Sequence, residues 1–310
     1  MSKDVQYRLE YAALVGGAAL LNLLPYKAAL TVAAAGAWLM FHVVRFRRRE
    51  TFRRIREVFG ADLPERRVRR IAWMSLRNVA FNGVEMMRAS RIDKVWVDTY
   101  IPEFHTHIPL ITGLIKNHRG LIFAVPHMGN WDLAGWACSR YGVKMFSVAA
   151  KQKNPYVNAW ISRQRENGIK MLERGGGTLR KILRLLCNGN AFAILPDVRM
   201  PTPDLKLSFL GGTANLGRGM AMFATSTNVP ILPAFFTRRG WGRHEFFFSE
   251  PIFPDPSLDR DTDARRLTEA VVALADKAIR AHPEQWFWYN KRWVLTPLPE
   301  DAPQQKGQQS

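Results

Sequence analysis

Hydrophobic and polar positions divide the chain into three zones. From Tyr11 to Leu24 no residue is charged, Pro25, Tyr26 and Lys27 interrupt, and residues 28–44 are again free of charge. A helix needs roughly 17–25 apolar residues to cross a bilayer core, and Trp38 sits where an interfacial aromatic would. The expectation is a retained N-terminal membrane anchor over residues 1–44, because the run is long for the apolar part of a cleaved signal and Arg45 follows it in place of a cleavage site. The alternative is a helix–Pro–helix pair buried in the core.

Residues 45–100 form a basic helical zone. Arg45, Arg47, Arg48, Arg49, Arg53, Arg54, Arg56, Arg66, Arg67, Arg69, Arg70 and Arg77 face only Glu50, Glu57, Asp62 and Glu65. Within 64–91, Val68, Ile71, Ala72, Met74, Leu76, Val79, Met86 and Met87 recur at helical spacing, which predicts a helix with one packed face.

From Gly120 the pattern becomes short apolar runs ended by Pro, Gly or Asn and separated by longer helical stretches, an α/β signature. Strands are expected at 121–125, 145–149, 191–195, 231–237 and 245–249. Helices are expected at 131–141, 157–167, 178–187, 218–226 and 261–281. The fold class is therefore α/β, a mixed central sheet flanked by helices over 101–298, with a disordered tail at 299–310. No internal repeat is visible.

Composition narrows the partners. The 310 residues carry 45 Lys+Arg against 26 Asp+Glu, a net charge of +19, and 47% are hydrophobic, so a disordered chain is excluded. Cys138 and Cys187 stand far apart, which removes a disulfide framework and a structural zinc site and points to a reducing compartment. A strongly basic chain seeks a polyanion: nucleic acid, an anionic leaflet or an acidic carrier protein. No zinc finger, recognition helix or RNP-type aromatic motif supports nucleic acid. The apolar run next to the arginine block favours an anionic membrane surface, with the block holding the remainder on the cytoplasmic side.

The most informative stretch is Leu121-Ile-Phe-Ala-Val-Pro-His127-Met-Gly-Asn130-Trp-Asp132. A buried strand runs into Pro126, His127 sits at its carboxyl end, and Asn130 is placed to cap the next helix. A His is the usual general base near neutral pH and works best when a carboxylate fixes its tautomer; Asp132, folded back across the turn, is the candidate. The competing reading is a structural His at a strand end. There is no Gly-x-Ser-x-Gly elbow, P-loop, His-Glu-x-x-His or dinucleotide glycine fingerprint. The run Arg174-Gly-Gly-Gly-Thr178 either cradles a phosphate or serves as a connection.

Four motifs in order carry a resemblance: His127-Met-Gly-Asn-Trp-Asp132, Ile194-Leu-Pro-Asp197-Val-Arg199, Ser208-Phe-Leu-Gly211-Gly-Thr-Ala, and His282-Pro-Glu284-Gln-Trp-Phe-Trp-Tyr-Asn-Lys-Arg-Trp293. Together they resemble the lipid A biosynthesis (lauroyl/myristoyl) acyltransferase family, and Arg77-Asn78 and Glu85 to Arg88 also look like it. The sequence is similar, too, to the wider glycerolipid acyltransferases that share His-x4-Asp, although their Phe-Pro-Glu-Gly-Thr motif is missing here. Departures are Asp132, Val198 and Leu210, where such proteins often carry Glu, Gln and a second Phe. The Pro-His-x-Gly-Asn-Trp-Asp form is also like the mycobacterial phosphatidylinositol mannoside acyltransferases, which leaves the acceptor sugar open.

The resemblance implies O-acyl transfer from an acyl carrier protein or CoA thioester to a hydroxyl of a lipid A precursor or related glycolipid, with His127 as base and Asp132 as its partner. The alternatives are acyl-CoA-dependent acylation of a phosphoinositol mannoside, lysophospholipid or other acceptor, and a non-catalytic basic membrane- or nucleic-acid-binding protein. Arg165 and Arg199 are candidates for donor or acceptor phosphates. Asp197 is expected to orient Arg199 or a neighbouring Arg, or to serve as a turn residue. Asn130, Gly211 and Glu284 complete the expected substrate-binding set, Gly211 by close backbone approach. The chemistry calls for no cofactor and no metal.

Overall fold

Short apolar runs bounded by Pro, Gly and Asn build the sheet at the centre of the molecule. In the computed structural model, which describes residues 2–299, the strands are β1 (Leu121–Ala124), β2 (Met145–Ala149), β3 (Ile169–Glu173), β4 (Ala191–Ile194), β5 (Leu205–Phe209), β6 (Gly212–Leu216), β7 (Ile231–Arg239) and β8 (Arg243–Phe248). Six of them form one sheet in the order β3-β2-β4-β1-β7-β8, and β5 and β6 form a separate hairpin. Every pairing from β3 to β7 is parallel, and β8 closes the edge antiparallel to β7. The sheet is thus mixed, as expected, and β3 and the β5–β6 hairpin are additions to the expected strands. The expected tail at 299–310 lies, apart from Pro299, outside the described residues.

The helices are α1 (Lys3–Leu23), α2 (Tyr26–His42), α3 (Arg48–Phe59), α4 (Glu65–Met87), α5 (Lys94–Tyr100), α6 (Phe104–His118), α7 (Trp131–Arg140), α8 (Pro155–Arg165), α9 (Thr178–Cys187), α10 (Gly219–Thr227) and α11 (Arg260–Ala281). Alternation along β1 sends its side chains to two cores. Ile122 and Ala124 pack with Ile182 and Leu186 of α9, Met220 and Ala221 of α10 and Leu267 of α11. Leu121 and Phe123 pack with Val97 of α5, Ile111 of α6 and Leu133 and Trp136 of α7. A strand covered on both faces reads as an unbroken apolar run, as Leu-Ile-Phe-Ala does.

The N-terminal anchor expected over residues 1–44 is corrected. Among the described residues no helix is long and apolar enough to cross a membrane. Pro25 splits the apolar run into two helices, and α1 carries Asp4, Arg8 and Glu10. Helix α2 packs on α4, burying Tyr26, Ala29 and Leu30 with Phe81 and Val84. Phe41 at its far end joins Ile55, Val68 and Ile71 in a third core, which also takes in the β5–β6 hairpin and Trp286, Trp288 and Trp293. Helix α1 is held by Asn22 Nδ2 donating to the Met87 carbonyl (2.8 Å) and Asn154 Nδ2 donating to the Tyr7 carbonyl (2.9 Å). Of the alternative, a helix–Pro–helix pair buried in the core, α2 corresponds through its packing on α4, whereas α1 buries only Ala18.

Candidate active site

Register places the chemistry. Strands β1 and β4 are neighbours with Ala124 opposite Ile194, and each runs on into a proline and then a polar residue, Pro126-His127 and Pro196-Asp197. His127 therefore arrives beside Asp197 at the carboxyl edge of the sheet, where ligand sites of open α/β sheets lie. His127 Nδ1–H donates to Asp197 Oδ1 at 2.8 Å, since a carboxylate only accepts. Asp197 Oδ2 accepts from the His127 backbone N–H and from Trp286 Nε1, both at 2.8 Å. The Asp197 side chain is 1% exposed. Its burial favours protonation, but the charge of His127 and these three hydrogen bonds outweigh it and hold the carboxyl below its ordinary range. With Nδ1 occupied, Nε2 is the free nitrogen of the ring, and it meets no hydrogen-bonding partner among the described residues.

The expected His127–Asp132 pairing is corrected. Asn130 caps α7, its Oδ1 accepting from Leu133 N–H at 3.0 Å. Asp132 then falls in the first helical turn and meets α8 instead: Arg165 Nε and Nη2 donate to its two carboxylate oxygens at 2.8 and 3.2 Å. A five-residue offset across a capped helix start points the two side chains to different partners. Both Asp132 and Arg165 line the same cavity as His127.

A buried charged ring supports the turn between β1 and α7. Glu85 on α4, with its side chain fully buried, accepts from Arg238 Nη1 and Nη2 (2.7 Å each), from Tyr26 Oη (2.5 Å) and from Asn130 Nδ2 (2.6 Å). His244 Nε2 lies 3.1 Å away. Burial would raise the Glu85 pKa, yet Arg238 and His244 carry it far below the usual range. Burial and then the Arg238 charge push His244 down. Asn82 Nδ2 donates to the Gly129 carbonyl at 2.6 Å, and Gly129 N–H donates to the Gln285 carbonyl at 2.9 Å. Gly129 has φ +60°, and a Cβ there would stand 2.0 Å from the Phe236 carbonyl oxygen, so only glycine fits.

The cavity at His127 has a volume of about 720 Å³ and runs beneath the carboxyl ends of the strands. Its walls are mainly apolar, including Val148, Ile169, Met171, Phe192, Met220 and Phe223; Arg165 and Arg218 enter it paired with Asp132 and Asp204, and Arg174 adds a cation with no carboxylate partner among the described residues. That size and lining suit a mostly apolar ligand fixed by a few polar groups.

The expected substrate-binding residues divide. Asn130, Arg165 and Asp197 stand at or behind the cavity. Arg199, Gly211 and Glu284 do not line it. Arg199 donates to the carbonyls of Thr296 and Pro297 (2.6 and 2.8 Å). Gly211, with φ +81°, turns the hairpin between β5 and β6. Glu284 lies in the 3₁₀ turn Pro283–Gln285, its carbonyl accepting from Asn78 Nδ2. Sequence reasoning missed Trp286 and Gln285 as site residues, although they lie within the Pro-Glu-Gln-Trp motif that marked the resemblance.

The model of the bacterial lipid A biosynthesis acyltransferase family matches residues 2–294. The chain belongs to that family. It is 27% identical over 200 residues to a phosphatidylinositol mannoside acyltransferase of Mycobacterium tuberculosis (strain CDC 1551 / Oshkosh), covering 61% of this chain and 58% of that one. It is 25% identical over 187 residues to one of Mycolicibacterium smegmatis, covering 57% of each. Its identity to lipid A biosynthesis acyltransferase 2 of Shigella flexneri is 22% over 205 residues, 61% of this chain and 60% of that one. The chain thus spans somewhat under two thirds of the length of the curated relatives it matches. The family match runs through the four motifs, so the His127–Asp197 pair and the Trp286 turn lie inside it.

Proposed function

We propose that this chain transfers a fatty acyl group from a thioester to a hydroxyl of a lipid A precursor or related glycolipid. The observation that carries the reading is His127, oriented through Nδ1 by buried Asp197 and opening into a largely apolar cavity. The acceptor O–H gives its proton to His127 Nε2 as its oxygen attacks the thioester carbonyl carbon, and Asp197 stabilises the imidazolium that forms. Collapse of the tetrahedral intermediate breaks the C–S bond, and the imidazolium returns the proton to the departing thiolate. Ester and thiol are the products, with no acyl-enzyme.

Gly129 N–H is already committed to Gln285, so the oxyanion donors are the first-turn N–H groups of α7 at Trp131 and Asp132, which a helix leaves without internal acceptors. The acyl chain occupies the apolar cavity, where about 0.8 kcal/mol per buried CH₂ favours a defined chain length. Arg165 and Arg174 are placed for phosphates of an acyl carrier protein or CoA donor. The reaction takes place at the cytoplasmic face of a bacterial inner membrane, reached from its surface and not by a spanning helix. A phosphatidylinositol mannoside acceptor is the second reading, favoured by the higher identity to the mycobacterial relatives.

The test supplies detergent-purified protein with a total lipid extract and, in parallel, acyl carrier protein and CoA thioesters, with products read by mass spectrometry. A new acylated lipid that disappears in His127→Ala is expected, and its mass identifies the acceptor. Equal product from both proteins would overturn the assignment of His127.

A further inference from the structure

A second recess, of about 340 Å³, lies outside the His127 cavity and is walled by Arg47, Arg54, Arg199, Lys291 and Arg292, with Glu50 its one acid. It is a built site. The Arg54 side chain is 2% exposed; it donates to the carbonyls of Trp288 (2.9 Å) and Asn290 (2.7 Å) and lies over the Trp293 ring at 5.0 Å. Those carbonyls fix the guanidinium without neutralising it. Its carboxylate partner, Glu50 at 3.0 Å, is shared with Arg53 outside the recess, which takes both Glu50 oxygens. Arg199 is likewise held by carbonyls alone. Lys291 and Arg292 are exposed and have no carboxylate partner among the described residues. Arg47 reaches the recess from a left-handed backbone (φ +46°), a strained conformation for a residue with a side chain.

An exposed apolar strip adjoins this excess of positive charge. Trp38, Leu39, Val43, Val44 and Phe46, at the end of α2 and just before Arg47, are between 43% and 61% exposed. Large apolar side chains next to cations suit the boundary between lipid headgroups and acyl chains, and give no advantage against a soluble anion.

We propose that the recess binds the phosphate of an anionic phospholipid headgroup while the α2 strip rests in the outer acyl layer. Guanidinium groups match phosphate oxygens bidentately. This seats the protein on a membrane without crossing it, and it places the contact two residues along the chain from Asp197, the carboxylate that holds His127. The inference rests on the membrane placement in the proposed function but not on its chemistry.

Binding is therefore measured with His127→Ala protein, which the acyl-transfer reading makes inactive, using phosphatidylcholine vesicles with and without phosphatidylglycerol. Lys291→Glu/Arg292→Glu is compared with Arg180→Glu/Arg184→Glu, an equal charge change on exposed residues of α9. At roughly a fivefold effect per basic residue near an anionic surface, the recess pair is expected to lose at least about twentyfold in affinity for the anionic vesicles, and the control pair much less. Equal loss in both would show that diffuse charge binds the vesicle and would overturn the site. Displacement by millimolar inorganic phosphate would make it a free-anion site, and tighter binding to a single-stranded oligonucleotide than to vesicles would assign another partner; either result overturns the proposal. Thermal unfolding checks the fold. Should the double reversal not fold, Arg292→Gln carries the same test, with an expected loss of about fivefold.

Discussion

Asp197 and Asp132 are both near His127, yet they have different work because their partners differ. Asp197 is buried, bound to the ring nitrogen and ionised; Asp132 is tied to Arg165 at the cavity wall. Asp197→Asn keeps the shape but offers an amide that can donate to Nδ1 and so favour the wrong tautomer. A fall in kcat of about 10³–10⁴ with KM little changed is expected from steady-state rates. Asp132→Asn loosens Arg165, so KM for the thioester should rise more than kcat falls. The reverse pattern would exchange the two roles. Sequence spacing made His127 and Asp132 legible as a local motif. The Asp197 partnership spans seventy residues and is written in the pairing of β1 with β4, which no single-segment pattern displays. Once that register is known, the matching Pro-His and Pro-Asp continuations identify it.

At the scale of elements, short apolar runs revealed β1, β2, β4 and β7 inside the sheet and β8 at its edge, helical spacing revealed α4, and the longer stretches between and after the strands revealed α7 to α11. Strand β3 was hidden because it is an edge strand whose Lys170 and Glu173 face solvent, so Ile-Lys-Met-Leu-Glu has no strong apolar signature. The first two helices misled for the opposite reason. An alanine-rich helix packed closely on α4 is as apolar as one facing lipid. What joins these elements is the Glu85–Arg238 pair, buried to 0% and 1% side-chain exposure. Glu85→Gln leaves Arg238 charged and without a carboxylate, and should cost about 3–5 kcal/mol in chemical denaturation. The pH dependence has a definite sign. The folded carboxyls of Glu85 and Asp197 titrate below their ordinary values, so the stability they contribute is present above about pH 4 and is lost as pH falls further, when the unfolded chain binds more protons. The decline in unfolding free energy on acidification should be shallower in Glu85→Gln; parallel slopes would mean that Glu85 is not ionised in the fold.

For the whole molecule, a net charge of +19 describes a total, whereas the fold distributes it. Some arginines, such as Arg238, are internal struts, and others gather around the recess beside α2, so the bulk excess alone could not say where an anion would settle. The Tyr26 hydroxyl, bonded to Glu85, has a practical consequence. Residues 2–44 resemble a dispensable leash, and a preparation that discards them to gain solubility would look sensible. It would instead uncover Tyr26's side of the charged well, admit water to Glu85 and Arg238, and slacken the Asn130 turn two bonds away. A chain begun at residue 45 should lose both turnover and thermal stability, and the excised piece added back as a separate peptide should restore part of each. Full activity from the shortened chain alone would show that the well needs no cover.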